Sequence, residues 1–175
     1  MTDPVAPPIP ESLSHCPTVG GLVVPYITPR TEDGRFLFGR IDRERMQRAV
    51  AKRSCGVCGN PLQTPAVLMM RLSDLPHQCT VEPALHPWCA KYTGEACPMI
   101  RGRLDRYRTS SPRLDPNMLE AADTELRRGK AAEPWFAAWI NAYDVISYHG
   151  TLAASYAKSG ARRIRPVTWR LPGIF

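Results

Sequence analysis

The run of apolar and polar positions along this chain marks out a series of short elements. Residues 1–14 (MTDPVAPPIPESLS) are Pro-rich and carry no apolar period, which reads as a disordered tail ahead of a single domain from residue 15 to 175. Residues 21–28 form an apolar stretch with β character, and Pro25 suits it to a sheet edge. A turn at residues 31–34 and a second stretch at 35–41 complete an expected hairpin. Asp42 is then placed to cap a helix running to about Arg53. Ile41 and Met46 sit at the hydrophobic-staple positions of that helix, and Met46, Ala49 and Val50 form its apolar face.

Beyond the helix, residues 66–71 and 78–82 predict two short strands around a loop at 73–76. A second helix is expected to start at Pro87, a residue favoured in the first helical position, and to stop before Pro98. Residues 101–113 read as an Arg-rich connector. Asp115-Pro116 opens a third helix that Gly129 closes. After Pro134 two periods compete. Trp135, Trp139 and Tyr143 recur every four residues, as on a helix, but alternation and aromatic, β-branched content favour strands. The expectation is strands to the end of the chain, the last over residues 163–170. The class that results is α+β: an N-terminal β-hairpin and helix, a central treble-clef-like zinc module over about 54–98, and a β-rich C-terminal segment.

The zinc expectation comes from two ligand doublets, Cys55-Gly-Val-Cys58-Gly59 and His86-Pro-Trp-Cys89. Structural zinc takes four nitrogen or sulfur ligands in a tetrahedron, and two such doublets supply them with little strain. Glycines let the first doublet turn tightly about a metal. In the second, ligands three residues apart at a helix start point to one side, where the helix dipole favours a thiolate. The ligand set is therefore Cys55, Cys58, His86 and Cys89. Cys97 is the alternative to His86 and Cys79 a weaker one, both otherwise buried thiols. Cys16 stands alone near the tail and has no assigned role.

Four good ligands leave no open position for a catalytic metal. No H-E-x-x-H, H-x-E with P-C-x-x-C, G-x-S-x-G, P-loop or G-x-G-x-x-G motif occurs. An HNH-type nuclease would need a catalytic histidine between the doublets. His77 is there, without the neighbours that chemistry requires, and His15 and His149 stand singly. The protein is read as non-enzymatic.

Composition changes the picture in two ways. Six cysteines could form disulfides in a secreted chain, but the doublet spacing and the lack of a signal pattern at the N-terminus favour metal and a cytoplasmic setting. No apolar run approaches the ~20 residues that cross a bilayer, so no membrane is expected. The net charge of +7 is uneven. Residues 1–50 balance at six basic and six acidic side chains, whereas residues 101–175 hold thirteen Lys and Arg against seven Asp and Glu. Arg101, Arg103, Arg106 and Arg108 with Tyr107, and Arg162, Arg163, Arg165 and Arg170, are candidates for nucleic-acid contact, the arginines to phosphate and Tyr107 to a stacked base. The competing use of the surface is docking on a protein partner, with Trp88, Trp135, Trp139 and Tyr143 as aromatic anchors or, more simply, as core.

Taken together, V-P-Y-I-T at residues 24–28, F-x-x-I-D at 38–42, C-G-V-C-G-N-P-L at 55–62, E-P-A-L-H-P-W-C-A-K-Y at 82–92 and A-C-P-M-I at 96–100 carry a resemblance. Over about residues 20–100 the chain resembles a family of small uncharacterised proteins of actinobacteria and their bacteriophages. The resemblance implies a zinc-binding fold and a bacterial or phage origin, and it implies no activity.

Overall fold

Residues 66–70 (Ala-Val-Leu-Met-Met) form an unbroken apolar run, which suits a strand covered on both faces. The computed structural model, which describes residues 6–107, 109 and 129–167, makes it so. Strand β3 (Ala66–Arg71) pairs antiparallel with β5 (Trp135–Ile140), which pairs in turn with β8 (Arg163–Pro166), giving the sheet order β3-β5-β8. The register runs from Ala66 opposite Ile140 to Arg71 opposite Trp135. Side chains alternate across a sheet, so this strand divides two cores. Val67 and Met69 point into a cluster with Cys55, Val57, Leu85, Cys89, Tyr92 and Trp135. Ala66, Leu68 and Met70 point the other way, to Val50, Ala138, Ile140, Tyr143, Ala154 and Tyr156.

The second sheet has the order β4-β7-β6, from β4 (Cys79–Thr80), β6 (Asp144–Tyr148) and β7 (Thr151–Ser155). Helix α1 (Arg43–Lys52) contributes Val50 to the same side. The Asp42 carboxylate accepts from the Arg45 backbone N–H, and Arg53 ends the helix in the left-handed conformation. Tyr143 locks that end: its hydroxyl donates to the Val50 carbonyl at 2.8 Å, and its own carbonyl accepts from the Arg53 guanidinium at 3.3 Å. Helix α2 (Pro87–Ala96) starts with proline in its first turn and ends ahead of Pro98.

Strands follow Pro134 as expected, the last of them covering Arg163–Pro166, and the expected strand positions 168–170 lie outside the described residues. Three expectations need correction. The N-terminal hairpin is smaller and earlier: β1 (Thr18–Val19) pairs with β2 (Leu22–Val23) about Gly20-Gly21, and residues 30 and 36 share only a single bridge. Tyr26 leaves the sheet because its backbone N–H goes instead to the Val57 carbonyl at 2.8 Å. The strand expected over residues 78–82 is only the two-residue β4, and the expected loop before it is helical. A 3-10 helix, Leu72–His77, turns the chain away, and two-residue β4 runs towards Pro83, so six-residue β3 finds its equal in β5. The expected tail is in contact with the domain from residue 6 on. Glu11–Leu13 form a 3-10 turn, and the Leu13 side chain is fully buried in the metal-side core. One isolated leucine among prolines has no period by which to announce itself. The expected helix from Asp115 to Gly129 falls largely outside the described residues.

Candidate metal centre

The first doublet is built as a tight knuckle. Ser54 and Pro61 form a bridge at its base, the Cys55 N–H donates to the Asn60 carbonyl at 2.8 Å, and the Gly59 N–H donates to the Cys55 carbonyl at 2.9 Å. Gly59 has φ +75°, and a Cβ there would lie 2.9 Å from Tyr26 Cδ2. Gly59→Ala is therefore expected to cost about 1–2 kcal/mol from the left-handed backbone alone, more with the clash, read as a lower thermal midpoint and weaker metal retention.

The second doublet is carried to the knuckle by backbone pairing. The Gly56 N–H donates to the Ala84 carbonyl at 3.2 Å, and Val67 and Leu85 exchange both backbone hydrogen bonds at 2.8 Å. His86 is the N-cap residue of α2 and Cys89 lies in its first turn. As a result the ligand atoms of Cys55, Cys58, His86 and Cys89 all lie within 4.8 Å of one another. Among the described residues these four make a single group able to hold a metal ion. Cys55, Cys89 and His86 are buried and Cys58 is half-buried.

Donor chemistry fits a metal as well as geometry does. His86 Nε2–H donates to the Pro61 carbonyl at 3.0 Å, which can only accept. That fixes the tautomer and leaves the Nδ1 lone pair facing Cys58 Sγ at 3.4 Å and Cys89 Sγ at 4.0 Å, an arrangement typical of ligating histidines. Crowding of sulfurs pushes the Cys58 thiol up, through the Cys55 contact first and burial second. At Cys55 the contact with Cys58 lowers the pKa, but the contact with Cys89 and burial together raise it. Cys55 and Cys58, two neighbouring thiols that resist ionising, are what a divalent cation would reverse, since it deprotonates its sulfur ligands.

The alternatives are elsewhere. Cys97 caps the far end of ten-residue α2, about 15 Å from its start at 1.5 Å per residue. Cys79 is buried in β4, where burial and then Asp74 push its thiol up. His77 ends the 3-10 helix and packs on Tyr148, with ring centroids 5.4 Å apart, and His149 meets Tyr148 edge-on at 4.3 Å. Neither joins the cluster. His15 and Cys16 lie beside the knuckle, which their isolation in the sequence did not suggest. His15 Nε2 is 3.4 Å from Asn60 Nδ2 and 3.6 Å from Cys16 Sγ.

The aromatic candidates separate. Trp135 and Tyr143 are core, and Trp139 is half-buried beneath Arg163, whose guanidinium lies 4.2 Å from the ring centroid. Trp88 is 38% exposed and stacks flat on His86 at 4.6 Å. Beside it opens a cleft of about 390 Å³ lined by Ser12, Cys58, Pro61, Gln63, His86 and Trp88, among others. Tyr107 is buried, which removes it as a base-stacking residue. Arg101, Arg103, Arg106, Arg162, Arg163 and Arg165 are exposed, while Arg108 and Arg170 lie outside the described residues. Arg163 and Arg165 stand opposite Trp139 and Ala137, on the metal-side face of the sheet.

No helix among the described residues is long and apolar enough to cross a membrane. No family model, curated protein or solved structure matches the chain.

Proposed function

We propose that this is a non-enzymatic interaction module of a bacterial or phage-infected cytoplasm, held together by one structural zinc on Cys55, Cys58, His86 and Cys89, that docks on another protein through the surface around Trp88. The observation that carries the reading is the closed donor set. Four ligands with a tautomer-fixed histidine, three of them buried, leave a metal no position for substrate. Bound there, zinc supplies folding free energy and orders the junction of knuckle and helix. The exposed indole on the ligand histidine gives the adjoining cleft a rigid aromatic rim, the kind of side chain that dominates protein interfaces.

Affinity capture from the native cytoplasm tests this, with and without nuclease. A partner that survives nuclease, and that Trp88→Ala loses while keeping its zinc, is the expected result. Capture that disappears with nuclease would overturn the reading in favour of nucleic acid.

One observation favours that second reading. Arg163 and Arg165 share one face of an edge strand, as contact with successive phosphates requires. On it, the Arg163→Glu, Arg165→Glu double variant weakens binding to DNA or RNA across all sequences and flattens its salt dependence, measured by titration at low and physiological salt. No binding by the unaltered protein even at low salt eliminates the reading. The same two arginines beside Pro166 also guard the sheet edge against pairing with other chains, a use that needs no ligand.

A further inference from the structure

The ligand cluster can be reached from one side. Cys55 and Cys89 have no exposed surface, whereas Cys58 and His86 line the cleft beside Trp88. Its volume of about 390 Å³ is enough for a small chelating molecule, and Ser12, Asn60 and Gln63 make part of its wall polar. His86 is nevertheless only 2% exposed, because two groups cover it. The Pro61 carbonyl holds Nε2 at 3.0 Å, and the Trp88 indole lies flat on the ring, with centroids 4.6 Å apart and planes within 4°. Residues two apart do not face each other within a helix. They do here because His86, as N-cap, is still extended (φ −64°, ψ 152°) and α2 starts only at Pro87. The indole therefore has one face against a ligand side chain while Trp88 stays 38% exposed to solvent.

We propose that this cleft is the path by which metal exchanges with small chelating ligands, and that Trp88 is a positioning residue that slows the exchange by clamping His86 in its ligating orientation. This rests on the structural-zinc reading for the ligand set and adds to it the route and the residue that controls it. To let go of a metal, the imidazole has to turn away from the three sulfurs. That motion breaks the Pro61 hydrogen bond and slides the ring off the indole, so both contacts hold the ligand in place. An incoming donor, such as the carboxylate of a chelator, enters on the side that Cys58 and His86 share and takes the place of one of them. Trp88 touches the ligand and not the metal position, so its removal leaves the donor set intact. What changes is how readily His86 swings and how far solvent and chelators reach it.

The test mixes the full-length zinc-loaded protein with an excess of the chromophoric chelator 4-(2-pyridylazo)resorcinol and follows zinc transfer by stopped-flow absorbance. Trp88→Ala is expected to hold one zinc per chain before mixing and to release it about two- to tenfold faster than the parent, the range that the loss of one aromatic stack gives. Trp88→Phe, which keeps a flat ring, is expected to stay close to the parent rate. Gln63→Trp, which crowds the cleft, is expected to slow release. With cobalt(II) in place of zinc, the visible bands of Trp88→Ala should match those of the parent, as they would if the ligands are unchanged. Release from Trp88→Ala at the parent rate overturns the proposal, as does release from Trp88→Phe as fast as from Trp88→Ala. Unchanged release from Gln63→Trp, or cobalt bands that shift in Trp88→Ala, overturns it too. Metal content of the folded parent before mixing is the separate check: a parent that takes up neither zinc nor cobalt refutes the structural-zinc reading itself.

Discussion

Cys58→Ser is expected to lose the bound zinc and with it the order of residues 54–98. Structural zinc contributes about 10–16 kcal/mol of binding free energy in small zinc-finger peptides at neutral pH, and that energy is coupled to folding. A domain is stable by only about 5–15 kcal/mol, so even a fraction of it decides whether this region folds. The cluster also sits inside the core: Cys55 and Cys89 pack with Val67, Met69 and Leu85. Thermal unfolding of the variant should therefore show a large loss of stability or no cooperative transition, with metal analysis showing little zinc. The same logic ranks His86→Ala above Cys97→Ala in metal loss, because His86 Nδ1 faces the sulfurs and Cys97 caps the other end of α2. The reverse order would put Cys97 in the ligand set.

Leu68→Ala is expected to have the second largest effect, and a different signature. Leu68 is fully buried on the face of β3 turned away from the metal, against Ala138, Ile140 and Tyr156. Truncating a buried leucine costs about 2–5 kcal/mol, part of it for the cavity left behind. Denaturant unfolding should show that loss, while zinc content per folded chain stays at the parent value. A cost below about 1 kcal/mol would mean that this face is not a close-packed core.

How much of this was legible in the sequence depended on how local its cause was. Helix α1 was, because its cap and apolar face all lie within a dozen residues of Asp42. The ligand doublets could be read from spacing alone, since a knuckle and a helix start each place their own side chains. Pairing between distant segments could not be read. Nothing in residues 66–71 says that they pair with residues 135–140 rather than with 79–80, and nothing in Tyr26 says that its N–H is taken by Val57. The same limit hid Leu13 and Cys16, whose burial is created by a core assembled from residues 23–135. Tyr107 looked like a base-stacking side chain among arginines because burial has no signature in a single aromatic residue.

Zinc X-ray absorption fine structure on freshly purified, folded protein decides whether these four side chains form a closed zinc site, because it counts the ligands by element. One zinc per chain is expected, with three sulfurs and one nitrogen around it, the nitrogen lost in His86→Ala. A shell of four sulfurs, a shell rich in oxygen with an open position, or a folded protein that holds no zinc would contradict it.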